Sequence, residues 1–389
     1  MKAAASIPRG VWVLGFVSML MDLSSEMIHA LLPLYLTVGL GASALVVGLI
    51  EGVAEATALV VKVFSGTLSD RWRNRKTLTA AGYGLAALTK PFFALATGPW
   101  LVFAARFADR IGKGIRGAPR DALITDLVPP AIRGAAFGLR QALDTIGAIL
   151  GPLVAMGLML AWNDNFRAVF WVAVIPAILC FVLVLFGVEE PGRSREDEKA
   201  AKAAVAPDWR TLGKPFWIVV AIASALMLAR FSEAFLILRA SDLGVALAYA
   251  PLVLVGMSVV YAATSYPIGK LADRMSPRVL LAWGTVALVV ADIVLALAPG
   301  LGAFAAGIAL WGLHMGFTQG LLSAMVAHTA PESLRGTAFG VFNLACGAAM
   351  LVSSALAGAL WQFVGPQATF WCGAVLAALS LVLMRQARE

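Results

Sequence analysis

Apolar runs of bilayer length follow one another along this chain with only short polar breaks, and that succession restricts the fold more than any single motif. A helix rises about 1.5 Å per residue, so roughly 20 apolar residues cross a hydrocarbon core of about 30 Å. Such runs open near Val11, Ala44, Thr77, Trp100, Ala135, Ala168, Pro215, Tyr249, Val279, Ala303, Ala338 and Ala368. Inside a bilayer no water satisfies backbone amides, so consecutive spans of this length have to be helices. Of the 389 residues, 60% are hydrophobic and only 13% are charged, against about a quarter charged in an average soluble domain. The expected fold is therefore an all-α integral membrane protein with twelve transmembrane helices.

The net charge of +8 raises the question of nucleic acid. Its placement answers differently. Lys2, Arg9, the cluster Arg71, Arg73, Arg75 and Lys76, then Arg133, the run from Arg193 to Lys214, Arg274, Arg278, Arg335, Arg385 and Arg388 all occupy alternate loops or termini. The intervening loops hold only Arg167 and, near one helix end, Arg239. This bias orients a multi-pass chain with both termini in the cytoplasm and an even number of spans. The lipid bilayer of a cell inner membrane is the expected partner, and no nucleic acid is needed. The basic, then apolar start resembles a signal peptide, but the apolar stretch continues past Asp22 and Glu26 to Leu36, which reads as an uncleaved first helix. Cys180, Cys346 and Cys372 all fall within predicted spans without a CxxC pair, which argues against disulfides and a structural zinc site.

The segment from Glu189 to Lys214 is the only long polar run. It divides the chain into 1–188, a cytoplasmic linker at 189–214, and 215–389, with six predicted spans on each side. The halves repeat. GTLSDRWRNR from Gly66 matches GKLADRMSPR from Gly269, IRGAAFG from Ile132 matches LRGTAFG from Leu334, and AVFW from Ala168 matches ATFW from Ala368. Two six-helix pseudo-repeat bundles follow from this internal symmetry.

On these motifs, and over essentially its whole length, the chain resembles the major facilitator superfamily of secondary transporters. The superfamily's loop signature G-x-x-x-D-R-x-G-R-R has counterparts in Gly66, Asp70, Arg71 and Arg75, with Arg73 at the second glycine, and again in Gly269, Asp273, Arg274 and Arg278, with Ser276 there. The resemblance implies that these loops latch the cytoplasmic ends of the halves, which makes Gly66, Asp70, Arg71, Arg75, Gly269, Asp273 and Arg274 gating residues. Gly147, Gly151, Pro152 and Gly157 are similar to the antiporter signature G-x-x-x-G-P of the drug/proton antiporter branch, with an incomplete final glycine pair. Small residues and a proline let helices approach closely and bend, so Gly147, Gly151 and Pro152 are candidate joints, ordinary tight packing being the alternative.

Charged residues inside spans cost on the order of 2.5–3.5 kcal/mol each on the insertion scale, so they call for a function. Asp22 and Glu26 lie one turn apart on the first span, with Ser25 and His29 nearby. A buried carboxylate beside a second one suits a proton carrier. The alternative is a permanent ion pair with Arg106 or Arg110 that docks helices. Glu55 joins the proton-coupling candidates, ranked above Glu51, which falls nearer the outer rim. Lys90 is expected to be solvated at the outer end of the third span. In the fourth, steps of three and four align Arg106, Asp109, Arg110, Lys113 and Arg120 on one face, with Phe103, Phe107, Ile111 and Ile115 around the other side. Arg106 resembles the arginine of the superfamily's fourth-helix motif, with Arg110 in place of the following glycine. Arg106, Asp109, Arg110, Arg140 and Asp144 are candidates for holding substrate or balancing the carboxylates, whereas Arg116, Arg120 and Asp126 fall closer to the gate. The second half offers Arg230, Glu233, Asp292 and His314. His314 stands between a ligand role and that of a hydrogen-bonded core residue.

Gly112, Gly114 and Gly117 match the dinucleotide fingerprint, but a spanning helix supplies no βαβ unit, so they read as close-packing positions. No nucleophile motif or metal-ligand spacing is present, which argues against an enzyme, a cofactor or a bound metal; methionines such as Met19, Met21, Met27 and Met227 stand between soft-metal ligands and packing, with packing the reading favoured for unpaired methionine in a membrane helix. The expectation is a monomeric, proton-coupled transporter of a small-molecule substrate, working by alternating access, with efflux by antiport ahead of symport uptake of a small organic anion, siderophore or metal chelate. A receptor or scaffold would have no use for paired intramembrane carboxylates.

Overall fold

The computed structural model describes residues 7–71, 74–190, 209–272, 274–331 and 334–386, apart from the side chains at 67, 70, 71, 131, 209 and 386. Among the described residues every regular element is helical. They are α1 (Arg9–His29), α2 (Ala44–Arg71), α3 (Arg75–Leu95), α4 (Pro99–Leu127), α5 (Arg133–Ala161), α6 (Phe166–Gly187), α7 (Lys214–Ala229), α8 (Ala234–Asp242), α9 (Leu252–Ala272), α10 (Pro277–Leu297), α11 (Leu301–Thr329), α12 (Arg335–Phe363) and α13 (Pro366–Gln386). A short turn at Leu32–Leu34 and a wider π-helical turn at Tyr35–Gly39 extend α1 beyond a break at Ala30 and Leu31.

Local chemistry sets the helix starts. Asn74 Oδ1 accepts from Thr77 N (2.8 Å) at the head of α3, and Asn165 Oδ1 accepts from Ala168 N (3.1 Å) at the head of α6. Each side chain satisfies an amide that the first turn would leave unpaired. Pro99 opens α4 and Pro277 opens α10, in the first turn, where a missing amide hydrogen costs nothing.

Ten spans are long and apolar enough to cross a membrane, counting α1 with its extension, Arg9–Gly39, and α7 with α8, Lys214–Asp242, as one each. The long helices outside that set are α3 and α4, the latter bearing the charged stripe. Many large apolar side chains are turned outward, Trp100, Phe186 and Phe363 at 84%, 83% and 76% exposure among them. A soluble surface would not carry so much large apolar area, whereas lipid accepts it. The chain is thus a multi-pass membrane protein.

By compactness the chain forms two units. The first comprises Met1–His29, Thr57–Val154 and Asn165–Pro207. Within it α3 packs on α4 and α6, and α1 packs on α6, around Val17, Met21, Tyr83, Ala86, Cys180 and Val184. Gly82 and Gly112 face each other so closely that a methyl on either would lie 2.8 or 2.7 Å from the other's carbonyl oxygen. The second unit comprises Ala30–Ala56, Ala155–Asp164 and Asp208–Glu389. There α10 packs on α11 and α13, α9 packs on α11, and α7 packs on α12 and α13.

Of the three glycines that mimic a dinucleotide fingerprint, Gly112 and Gly114 are close-packing positions, the latter against Val61 and the Ala58 carbonyl. Gly117 is not: its nearest neighbour is Lys62 Cε, 3.9 Å from where a Cβ would stand.

Candidate functional site

The first unit gathers most of the charge foreseen within the spans. Asp22 and Glu26 project from α1 where α5 meets it through its glycines. A Cβ on Gly147 would stand 2.5 Å from Met19 O and 3.2 Å from Asp22 Cβ, and one on Gly151 would stand 2.8 Å from Glu26 Cβ. The two helices therefore touch backbone to backbone at the level of the two carboxylates. Glu26 Oε2 lies 3.3 Å from His29 Nδ1. The charges that reach Asp22 are those of Asp144, Arg116, Lys113 and Glu26.

Next to this pair, Lys90 Nζ of α3 donates to Asp109 Oδ1 of α4 and to Ser25 Oγ of α1, both at 2.9 Å. The Lys90 and Asp109 side chains are 1% and 3% exposed. The expectation of a solvated lysine is overturned: Pro91 continues the helix, and Lys90 points inward to join three helices at one ammonium group. Arg106 and Arg110 are buried, and with Arg116 they lie in electrostatic reach of Asp109. Phe103 and Phe107 stack at 6.1 Å between ring centroids on the other side of α4, Phe107 being exposed.

Two residues nearer the end of α4 belong to the same buried polar core. Arg116 is 5% exposed and lies 4.8 Å above the Tyr83 ring, a cation–π contact. Arg120 Nη1 donates to Ser18 Oγ (2.8 Å) and reaches the Tyr83 hydroxyl (3.5 Å). Tyr83 and Ser18 were not foreseen, because a lone tyrosine and a lone serine in apolar runs carry no pattern. On α5, Arg140 Nη1 donates to Asp144 Oδ2 at 2.6 Å, one turn away.

The gating candidates fall at helix ends. Gly66 lies in α2 and Gly269 in α9, the latter with open space where a Cβ would be. Arg75 pairs with Asp126 and donates to Ala122 O (3.3 Å), and the Arg75 and Lys76 amides donate to the Glu190 carboxylate at 2.8 and 2.6 Å. Arg274 N donates to Leu271 O (3.0 Å) in the turn before α10. Asp273 and the side chains of Asp70 and Arg71 lie outside the described residues, as does 191–208 of the linker.

The remaining candidates sit in the second unit. Glu51 is 1% exposed, more deeply buried than Glu55. Arg230 and Glu233 pair at 2.8 Å across a break in their span, where α7 ends at Ala229 and α8 begins at Ala234. His314 is 1% exposed with Nδ1 2.8 Å from Gly284 O, as a hydrogen-bonded core histidine would be.

The sequence pattern of the Major Facilitator Superfamily matches residues 14–238 and 231–388. An uncharacterised MFS-type transporter of Methanocaldococcus jannaschii is 31% identical over 387 residues, covering 97% of this chain and 94% of that protein. The multidrug resistance protein MdtH of Photorhabdus laumondii is 32% identical over 162 residues, 42% of this chain and 39% of its own. Among solved structures, a POT family transporter bound to a thioalcohol-conjugated peptide superimposes with a TM-score of 0.81 at 14% identity, covering 98% of this chain and 95% of that one. The human organic anion transporter MFSD10 (TETRAN) does so at 0.71 and 17% identity, covering 98% and 100%.

Proposed function

We propose that this chain, which belongs to the Major Facilitator Superfamily and so to a family of membrane transporters and not of enzymes, is a proton-coupled secondary transporter that expels a small solute by antiport. Twelve spans in two six-span halves, joined by the cytoplasmic segment 189–214, rock alternately around a midplane site. One observation carries the coupling: Asp22 and Glu26 share a face of α1 where Gly147 and Gly151 let α5 touch it, beside the buried ammonium of Lys90. Two carboxylates at a glycine-lined seam between helices bind or release a proton as the seam tightens or loosens. Export is supported by the glycine–proline pattern of α5 and by the partial likeness to a multidrug resistance protein.

The second reading is proton symport of a small organic anion or metal chelate. Among the described residues, Nη1 of buried Arg116 has no hydrogen-bond partner, and it shares α4 with Arg106 and Arg110. A guanidinium with a spare donor suits a carboxylate or phosphate.

The test is proton movement in proteoliposomes carrying a trapped pH dye, challenged in turn with lipophilic cations, organic anions, metal chelates and divalent metals. In wild type one class is expected to move protons, and Glu26→Gln is expected to abolish that movement. Opposite or parallel flow of proton and solute separates antiport from symport. Equal transport in the variant would remove Glu26 from the coupling machinery.

A further inference from the structure

The second unit holds a carboxylate that the charged cluster does not use. Asp292 of α10 is 0% exposed, and among the described residues neither of its oxygens has a hydrogen-bond partner. Its surroundings are apolar and tightly shut. On α13, a Cβ added to Gly373 would lie 2.5 Å from Asp292 Oδ2 and 3.0 Å from Phe231 Cε1. Phe231 in turn packs on Trp311, Phe235 and Phe370, with ring centroids 5.2, 5.7 and 5.5 Å away. An ionised carboxylate shut in such a bed would cost several kcal/mol with nothing to offset it.

The charged and titratable groups on the elements packed around α10 are accounted for elsewhere. Arg239 of α8 donates to Leu295 O (3.2 Å) and Ala296 O (3.5 Å) and pairs with Asp242. Arg230 is taken by Glu233, and His314 of α11 by Gly284 O. Cys372 of α13 is near Asp292 but brings no positive charge.

Size and donor set choose the ligand. Between Gly373 and Asp292 Oδ2 there is no room even for a methyl group, and the neighbouring void bounded by Phe231, Ser353, Thr369, Cys372 and Gly373, which Asp292 does not line, measures about 10 Å³, at most one water. Among the described residues no three His, Cys, Asp or Glu side chains gather around a possible metal ion. A proton needs neither room nor further ligands.

The covering ring also has a way to move. Phe231 lies in the break between α7 and α8, where the chain leaves the helix at Arg230 (φ −99°, ψ 97°). Broken spans of this kind are where transporters place sites and hinges. We propose that Asp292 is a second proton-binding carboxylate, closed off by Phe231 and opened to water through the break at 230–233. A proton from the aqueous side adds to one carboxylate oxygen when the break opens, and returns to water when that O–H bond is broken in a later opening. The coupled-transport reading gives this site its purpose, while the site's chemistry stands apart from it.

The experiment is infrared spectroscopy on the full chain in lipid nanodiscs, without substrate or gradient. A carboxylic C=O band is expected at neutral pH, lost in Asp292→Asn and kept in Asp22→Asn. A spectrum unchanged by Asp292→Asn would overturn the proposal. Should that variant fail to fold, Asp292→Glu replaces it: a displaced band is expected, and an undisplaced one overturns the proposal. Phe231→Ala is expected to speed deuterium uptake into the band by roughly tenfold, because the site opens more readily; an unchanged rate would overturn the covering role of Phe231. Failure of the coupled-transport reading shows separately, as indifference of the proteoliposome assay to Glu26→Gln.

Discussion

Lys90 and Asp109 form an ion pair that is almost wholly removed from water, and its energetics are lopsided. Assembling such a pair gives little net stability, but removing one partner strands the other charge, at about 3–5 kcal/mol. Lys90→Met is therefore expected to lower the melting temperature of the purified protein sharply. The double variant Lys90→Met/Asp109→Leu should recover most of the loss, since no charge is left stranded. Near-additive losses in the two single variants and the double one would mean that the pair does not act as a unit. The sequence announces that Asp109 belongs to a charged stripe, because steps of three and four align it with Arg106 and Arg110. It says nothing comparable for Lys90, whose span carries no other charge in its interior. Position along a span can be read from hydropathy, but the face a lone lysine turns to its neighbours depends on helix rotation, which only the packing partner fixes.

The seam between α1 and α5 depends on two glycines whose spacing is legible in the sequence and whose partner is not. The pattern Gly147, Gly151, Pro152 marks a helix that something approaches; that the approach falls on Met19 to Met27, at the two carboxylates, is a tertiary fact. Gly151→Ala puts a methyl 2.8 Å from both Glu26 Cβ and Leu23 O, a forced overlap of the kind that costs about 1–3 kcal/mol. Gly157, on the same helix, has nothing within 4 Å of its would-be Cβ. Transport by Gly151→Ala is thus expected to fall by an order of magnitude or so at unchanged expression, with Gly157→Ala near wild type. Equal rates in the two variants would reduce the seam to ordinary packing. The interruption of α7 and α8 is illegible for a different reason: LARFSEAF contains neither glycine nor proline. The amides freed there find side chains instead, Ala234 N donating to Ser232 Oγ (3.2 Å) and Ser232 N to Ser354 Oγ (3.3 Å). One of those acceptors lies on α12, more than a hundred residues away, and no local pattern announces it.

For the molecule as a whole the number of crossings turns on α3 and α4. Ten spans meet the length and hydropathy expected of a membrane helix, and the twelve-span arrangement requires α3 and α4 to cross as well. The buried pairing of Lys90 with Asp109 supports their crossing, since it lowers the effective polarity of both helices at the depth where lipid would oppose them. The distribution of basic residues makes the same demand: Arg75 and Lys76 open α3, Arg133 follows α4, and the turn between the two helices has none. If both cross, that turn lies on the outer side. Single cysteines at Asn74, Gly98 and Asn163 in a background lacking Cys180, Cys346 and Cys372 distinguish the cases. A membrane-impermeant maleimide added to intact cells is expected to label Gly98→Cys and Asn163→Cys and to spare Asn74→Cys until the membrane is opened. Labelling of Asn163→Cys alone would leave α3 and α4 on the cytoplasmic side. It would also take the Lys90 cluster out of the bilayer, where proton coupling through Asp22 and Glu26 needs it to be.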